Sequence, residues 1–215
     1  MNAPAFGRDV APLGREVGCH GLCPWGSTKD EAPLTVNCYD KGDERLMAES
    51  ILNGRSILAV DDEPDVLDVL EEEILEAAPK CKIEKVTTYY EATRRLTSQT
   101  YDVVILDIMG IRGFDLLDLS AKRNLTVAML TAHALHPESL KRSIERKARA
   151  YLPKDKLGEI VPFLECVLEE EYLPAWGRLM KKLEGYFNSR WGKTWKKSEE
   201  KFWREFDKKT ADYKR

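Results

Sequence analysis

The 215-residue chain contains five cysteines, an odd number, and its opening residues MNAPAFGRDVAPLGRE hold no apolar run of the kind an export signal needs. The expectation from these is that the chain is not a disulfide-stapled secreted framework. Cys81 and Cys166 stand alone and read as core or half-buried thiols. Cys19-His20-x-x-Cys23 with Cys38 offers zinc-type ligands, but at a spacing that fits no common zinc template. No stretch approaches the roughly 18 consecutive apolar residues of a membrane span. The expectation is a cytoplasmic protein with no membrane association.

What is present is enough apolar character for a packed core, with 43% hydrophobic and 33% charged residues. The net charge of -3 conceals three unlike segments. Residues 1–46 carry 7 acidic and 5 basic side chains among frequent Pro and Gly, and read as a disordered extension or a small metal-binding or redox arm, with Met47 as the natural start. Residues 47–171 carry 24 acidic and 16 basic side chains. Residues 172–215 reverse the sign with 13 basic and 6 acidic, and hold four of the five tryptophans.

From residue 56 onward, short β-type runs alternate with amphipathic helical stretches. The runs are 56–60, 82–86, 103–106, 126–130 and 148–152. The first, third and fourth are almost continuously apolar, as strands buried on both faces of a parallel sheet must be, whereas 82–86 alternates like an edge strand. Val66, Leu67, Leu70, Ile74 and Ala77 lie at helical spacing, and 90–96, 114–121, 137–147 and 157–170 give four more helices. Five strands alternating with five helices predict right-handed crossovers and a doubly wound α/β sheet whose site lies at the carboxyl ends of its strands.

Four of those ends are polar. The first strand runs into Asp61-Asp62-Glu63, the third into Asp107, the fourth into Thr131 and the fifth into Lys154. In a parallel sheet these side chains converge on one edge. Clustered carboxylates repel one another, so the arrangement calls for a divalent cation, and hard oxygen ligands select Mg2+. Lys154 and Thr131 add a fixed positive charge and a hydroxyl suited to a phosphoryl group on Asp107. Phosphoryl transfer needs positioning and charge neutralisation more than covalent machinery.

These residues, Asp61-Asp62-Glu63, Leu106-Asp107-Ile108-Met109, Leu130-Thr131-Ala132 and Tyr151-Leu152-Pro153-Lys154, resemble the receiver domain of two-component response regulators. The resemblance covers about residues 55–171. It implies a flavodoxin-like fold of strand order 2-1-3-4-5, with Asp107 as the phospho-acceptor supplied by a sensor histidine kinase or phosphotransfer protein. It further implies Asp61, Asp62, Asp107 and the Met109 carbonyl as Mg2+ ligands, and Thr131 and Lys154 as catalytic groups binding phosphoryl oxygens. Thr131 and Tyr151 become the switch pair. The output is then a phosphoprotein switch read by a protein partner or a homodimer at the face of the fourth helix, fifth strand and fifth helix, and not an enzyme in its own right.

Two departures from the family pattern carry expectations of their own. The loop Asp107-Ile-Met-Gly110-Ile-Arg-Gly113 is about two residues shorter than usual and lacks its Pro, with Gly110 allowing the tighter turn. Asp155 stands where the family has Pro, which predicts a pairing with Lys154. His133 reads as a solvent-exposed loop residue, with a position overhanging the acceptor as the alternative. In residues 172–215, Tyr172, Trp176, Leu179, Leu183, Tyr186, Phe187, Trp191 and Trp195 trace a helical stripe. Gly185 and Gly192 are expected weak points or turns, giving one bent helix or a helix pair that ends near Phe206. Such a stripe docks on the body or on a second copy. The alternatives are a transcription regulator whose basic tail binds DNA and a pseudo-receiver that never takes phosphate. A phosphohydrolase would use Asp107 as nucleophile but carries Asp-x-Asp there, where this chain has Met109.

Overall fold

The computed structural model describes residues 49–132 and 136–212. The expectations for residues 1–46, for Met47, for the Cys19, His20, Cys23 and Cys38 cluster and for His133 lie outside the described residues.

Five short strands, β1 (Ser56–Val60), β2 (Lys82–Val86), β3 (Val103–Asp107), β4 (Val127–Thr131) and β5 (Ala150–Pro153), form one parallel sheet in the order β2-β1-β3-β4-β5. β2, the one with the alternating pattern, is an edge strand, while β3 and β4 are buried along their whole length. Strands covered on both faces carry no polar side of their own, which is why their sequences read as continuous Val, Ile and Leu. The connecting helices are α1 (Pro64–Ala77), α2 (Tyr89–Ser98), α3 (Gly113–Lys122), α4 (Pro137–Glu145) and α5 (Ile160–Glu169), with a short 3-10 segment Lys154–Glu159 ahead of α5. α1 packs beside α5, and α2 beside α3. Pro64 and Pro137 open their helices at the first turn, where the missing N–H costs nothing.

Register decides what meets at the carboxyl edge. Val60 pairs with Leu106, so Asp61 stands level with Asp107. Asp107 pairs with Leu130 and Thr131 with Pro153, which brings Thr131 and Lys154 to the same edge.

The basic C-terminal segment forms a helical hairpin. α6 (Tyr172–Trp191) is continuous through Gly185, which is therefore not one of the turns. An added Cβ there would meet nothing within 4 Å, so Gly185 occupies an open position of the helix. Buried Leu183 and Phe187 flank it and hold the helix against the loss of about 1 kcal/mol that glycine brings. The chain does turn at Gly192, whose φ of 78° suits glycine. It passes through a short 3-10 helix, Trp195–Glu199, and returns as α7 (Glu200–Asp212), which extends past Phe206.

The hairpin docks on the body. α6 packs on β5 and α5. Trp176, fully buried, donates its indole N–H to the Ala148 carbonyl at 2.8 Å, and the Tyr172 hydroxyl donates to the Ile144 carbonyl at 2.7 Å. Ala148 lies just beyond α4 and Ile144 in its last turn, so both bonds tie the hairpin to the end of that helix. The hairpin's own core is aromatic: Phe187 stacks on Trp191 at 4.7 Å, Trp195 meets Trp203 edge-on at 4.8 Å, and Phe206 meets Trp176 at 6.2 Å. Each such pair adds about 1 kcal/mol beyond the area it buries.

Candidate functional site

At the carboxyl edge Asp61 and Asp107 are enclosed, with 0% and 1% of their surface exposed, while Asp62 faces solvent. One carboxylate oxygen from each of the three lies within 4.8 Å of the others. Lys154 reaches across the sheet to this cluster, its Nζ 2.8 Å from Asp61 Oδ2, 3.1 Å from Asp107 Oδ1 and 2.8 Å from Glu63 Oε1. Glu63, present in the Asp-Asp-Glu run but given no role from sequence, is thus the outer partner of the lysine.

Asp107 is held from one side by its own loop: the Met109 and Gly110 N–H groups both donate to Oδ2 at 2.8 Å. Met109 contributes its backbone there, and its side chain projects into solvent at 64% exposure. Asp61 Oδ1 accepts from the Glu63 N–H and from Lys154 Nζ, each at 3.0 Å. The remaining oxygens, Asp61 Oδ2 and Asp107 Oδ1, are fully buried and accept no hydrogen bond of good angle, although the lysine ammonium lies close by. Buried carboxylate oxygens left in that condition are costly. Three carboxylates facing one ammonium leave an excess of negative charge, so this donor set fits a hard divalent cation.

The ionisation of these groups reflects the crowding. Burial is the main reason that the Asp61 carboxyl titrates above its ordinary range. The neighbouring Asp107 charge adds to it, and the Lys154 and Glu63 hydrogen bonds offset it only in part. Burial works against the Lys154 ammonium, but its hydrogen bonds to Asp61 and Glu63 and the charges of Asp107 and Asp61 outweigh this and raise its pKa.

The shortened loop closes without the usual residues through two glycines. A Cβ on Gly113 would stand 1.9 Å from the Asp107 carbonyl oxygen, and one on Gly110 would stand 1.7 Å from Asp62 Oδ1. At 113 the obstacle is fixed backbone, so no side chain fits there, whereas at 110 a side chain would displace the Asp62 carboxylate. Between them Arg112 adopts a left-handed backbone, φ 54°, as the N-cap of α3. That conformation costs a non-glycine residue about 1 kcal/mol. Its guanidinium is held by Asp115 at 2.6 Å and lies 4.6 Å over the Tyr89 ring.

Thr131 is buried and its hydroxyl donates to the adjacent Ala132 carbonyl at 3.3 Å. Tyr151, also fully buried, lies beside Thr131 and Tyr186. Its hydroxyl has no partner of good geometry, and burial drives the phenol's pKa far upward. The pairing expected between Lys154 and Asp155 is not made. Lys154 is occupied by Asp61, Asp107 and Glu63, and Asp155 accepts instead from the Tyr186 hydroxyl of α6, at 2.9 and 3.1 Å. All described peptide bonds are trans, that between Lys154 and Asp155 included.

A parallel five-stranded sheet presenting an enclosed aspartate, an acidic pair, a hydroxyl and a lysine at its carboxyl edge defines an acidic-pocket α/β module of the flavodoxin-like class. Residues 57–163 match the family model of the response regulator receiver domain, and this segment belongs to that family. Among solved structures, the chain is similar to a putative response regulator from Chloroflexus aurantiacus, with 23% identity over 55% of this chain and 100% of that one and a TM-score of 0.49. The receiver domain of NtrX from Brucella abortus has 26% identity over 54% and 99%, with a TM-score of 0.46. The response regulator DrrB from Thermotoga maritima has 21% identity over 54% of this chain, with a TM-score of 0.47, and the match spans 52% of DrrB. No curated protein matches the chain.

Proposed function

We propose that the chain is a phospho-accepting switch of a two-component phosphorelay. Asp107 accepts the phosphoryl group of a phosphohistidine on a sensor kinase or phosphotransfer protein, and the switched surface is read by protein contacts. The observation that carries this reading is the enclosed Asp107 carboxylate with Lys154 Nζ at 3.1 Å and Asp61 and Asp62 beside it. In the transfer, an Asp107 oxygen forms the new P–O bond while the P–N bond to the histidine breaks and the imidazole leaves. Lys154 neutralises charge on the phosphoryl oxygens, and the Thr131 hydroxyl, released from the Ala132 carbonyl, donates to another. The Met109 and Gly110 N–H groups hold Oδ2, so that Oδ1 is the attacking oxygen. Asp61, Asp62, Asp107 and the Met109 carbonyl would hold Mg2+, which when bound supplies charge neutralisation between carboxylates and phosphoryl oxygens. This is a switch and not an enzyme, placed in the cytoplasm. No helix among the described residues is long and apolar enough to cross a membrane. The buried indoles of Trp176, Trp195 and Trp203 are committed to the hairpin core, which supports a tail acting through protein contacts over one that stacks on nucleic-acid bases.

Intact-mass analysis after incubation with acetyl phosphate, with and without Mg2+, tests the reading. One added phosphoryl group on the parent protein, absent without Mg2+ and absent in Asp107→Asn, is the expected result. Failure to take up phosphate from both the small donor and histidine kinases refutes it.

A further inference from the structure

Asp155 directly follows Lys154, and the structure shows what it does: it receives the hydroxyl of Tyr186 from α6. One turn further along α6 is Arg190, exposed, with its guanidinium 5.9 Å from the centre of the Tyr186 ring. Tyr186 and Arg190 form one wall of a cavity of about 340 Å³ whose other wall is built by Glu63, Thr131, Lys154 and Asp155. The cavity therefore joins the phosphoryl-binding groups to the C-terminal hairpin. A second route runs beneath it, because the unpartnered Tyr151 hydroxyl is buried between Thr131 and Tyr186.

The charges in this cavity are balanced as the structure stands, with Glu63 and Asp155 against Lys154 and Arg190. A phosphoryl group on Asp107 carries between about -1.5 and -2 charges where the carboxylate carried one, so the site gains up to about one negative charge and three acceptor oxygens. Lys154 is already shared among Asp61, Asp107 and Glu63. Arg190 is the cation of that wall contributed by the hairpin, and its planar fork suits phosphoryl oxygens.

We propose that the C-terminal hairpin is a built-in reader of the Asp107 site: Arg190, positioned by the Tyr186–Asp155 hydrogen bond, responds to a phosphoryl group on Asp107 by tightening α6 onto β5. The inference rests on the phospho-acceptor reading above. Linkage makes the coupling reciprocal, so a docked hairpin favours phosphorylation by the same factor that phosphorylation favours docking.

The test is hydrogen–deuterium exchange of the full chain over residues 172–191, with and without acetyl phosphate and Mg2+. Parent, Arg190→Ala and Arg190→Lys are compared at one phosphoryl group per chain, verified by intact mass on the same samples. The expected result is exchange about fivefold slower or more in the phosphorylated parent, matching the lower range of allosteric couplings. The slowing disappears in Arg190→Ala and survives in part in Arg190→Lys. Because Arg190 is exposed, the unphosphorylated variants should exchange like the parent, which separates lost coupling from lost folding. Phosphorylated parent with unchanged or faster α6 exchange overturns the reader alone, as does full slowing in Arg190→Ala. A parent that takes no phosphoryl group from any donor overturns the phospho-acceptor reading and the reader with it.

Discussion

Replacing Gly113 with alanine and replacing Gly110 with alanine should have opposite signatures, although both residues lie in the same short loop. At 113 the new methyl falls 1.9 Å from the Asp107 carbonyl oxygen and 2.9 Å from its carbonyl carbon, so it meets backbone that is fixed within β3 and its ladder. Overpacking against such an obstacle costs about 1–3 kcal/mol, against a gain of up to about 1 kcal/mol from alanine's better helix propensity. The backbone at 113 has no side chain to deflect, so the cost lies at the upper end and the net loss is about 2 kcal/mol. For a domain of this size that lowers Tm by roughly 4–8 °C. At 110 the methyl meets the Asp62 carboxylate, 1.7 Å from Oδ1, and that side chain is exposed and free to swing away. Stability should therefore change by less than about 1 kcal/mol, within the range of surface substitutions. The displaced carboxylate should weaken Mg2+ binding by roughly tenfold. Urea denaturation gives the first quantity, and calorimetric Mg2+ titration with phosphoryl uptake gives the second. A Gly113→Ala protein as stable as its parent, or a Gly110→Ala protein that loses stability while keeping its Mg2+ affinity, would refute the close approaches on which the shortened loop depends.

Lys154→Ala should destabilise the fold by about 3 kcal/mol, since it leaves enclosed Asp61 and Asp107 without their shared cation; added Mg2+ should restore part of this, and denaturation curves with and without the ion check both points. Trp176→Phe removes the donor to the Ala148 carbonyl and should cost about 1–3 kcal/mol, read as faster hydrogen exchange of α6. Alkaline unfolding should begin above pH 10. Burial, helped by the Glu84 carboxylate, raises the Tyr101 hydroxyl to about 12, and burial does the same for Tyr172. Between the ordinary value of 10.0 and about 12 the folded chain holds protons that the unfolded chain has released. Stability is therefore complete below pH 10 and falls as pH rises through that window. Denaturation at several pH values, with phenolate absorbance as the second readout, checks this, and a flat profile from pH 9 to 12 contradicts it.

Much of the receiver segment was legible because its determinants are local. Continuous apolar runs mark strands covered on both faces, and helical spacing marks what covers them. The expected third and fourth strands missed their ends by a residue because polarity was read as a boundary. Asp107 and Thr131 nevertheless belong to β3 and β4, since the ladder is built from backbone groups and takes no account of the side chain. The expected fifth strand began two residues early, at Ala148, whose N–H instead donates to the Ser143 carbonyl at the end of α4. Of the two expected weak points or turns, only Gly192 became a turn. A glycine lowers helix stability by an amount that burial of its neighbours readily exceeds.

The order of polar residues at four strand ends was enough, on the sequence alone, to place Asp61, Asp62, Asp107, Thr131 and Lys154 at one edge, because a parallel sheet brings all its carboxyl ends to the same side. Tertiary structure alone decided the rest. Asp155 bonds to Tyr186, 31 positions along the chain, and Lys154 to Asp61, 93 positions away. Partners so far apart are selected by strand register and by where α6 lies on β5. Neither quantity is written in any local stretch of residues, since each follows from how whole elements exclude water from the surfaces between them.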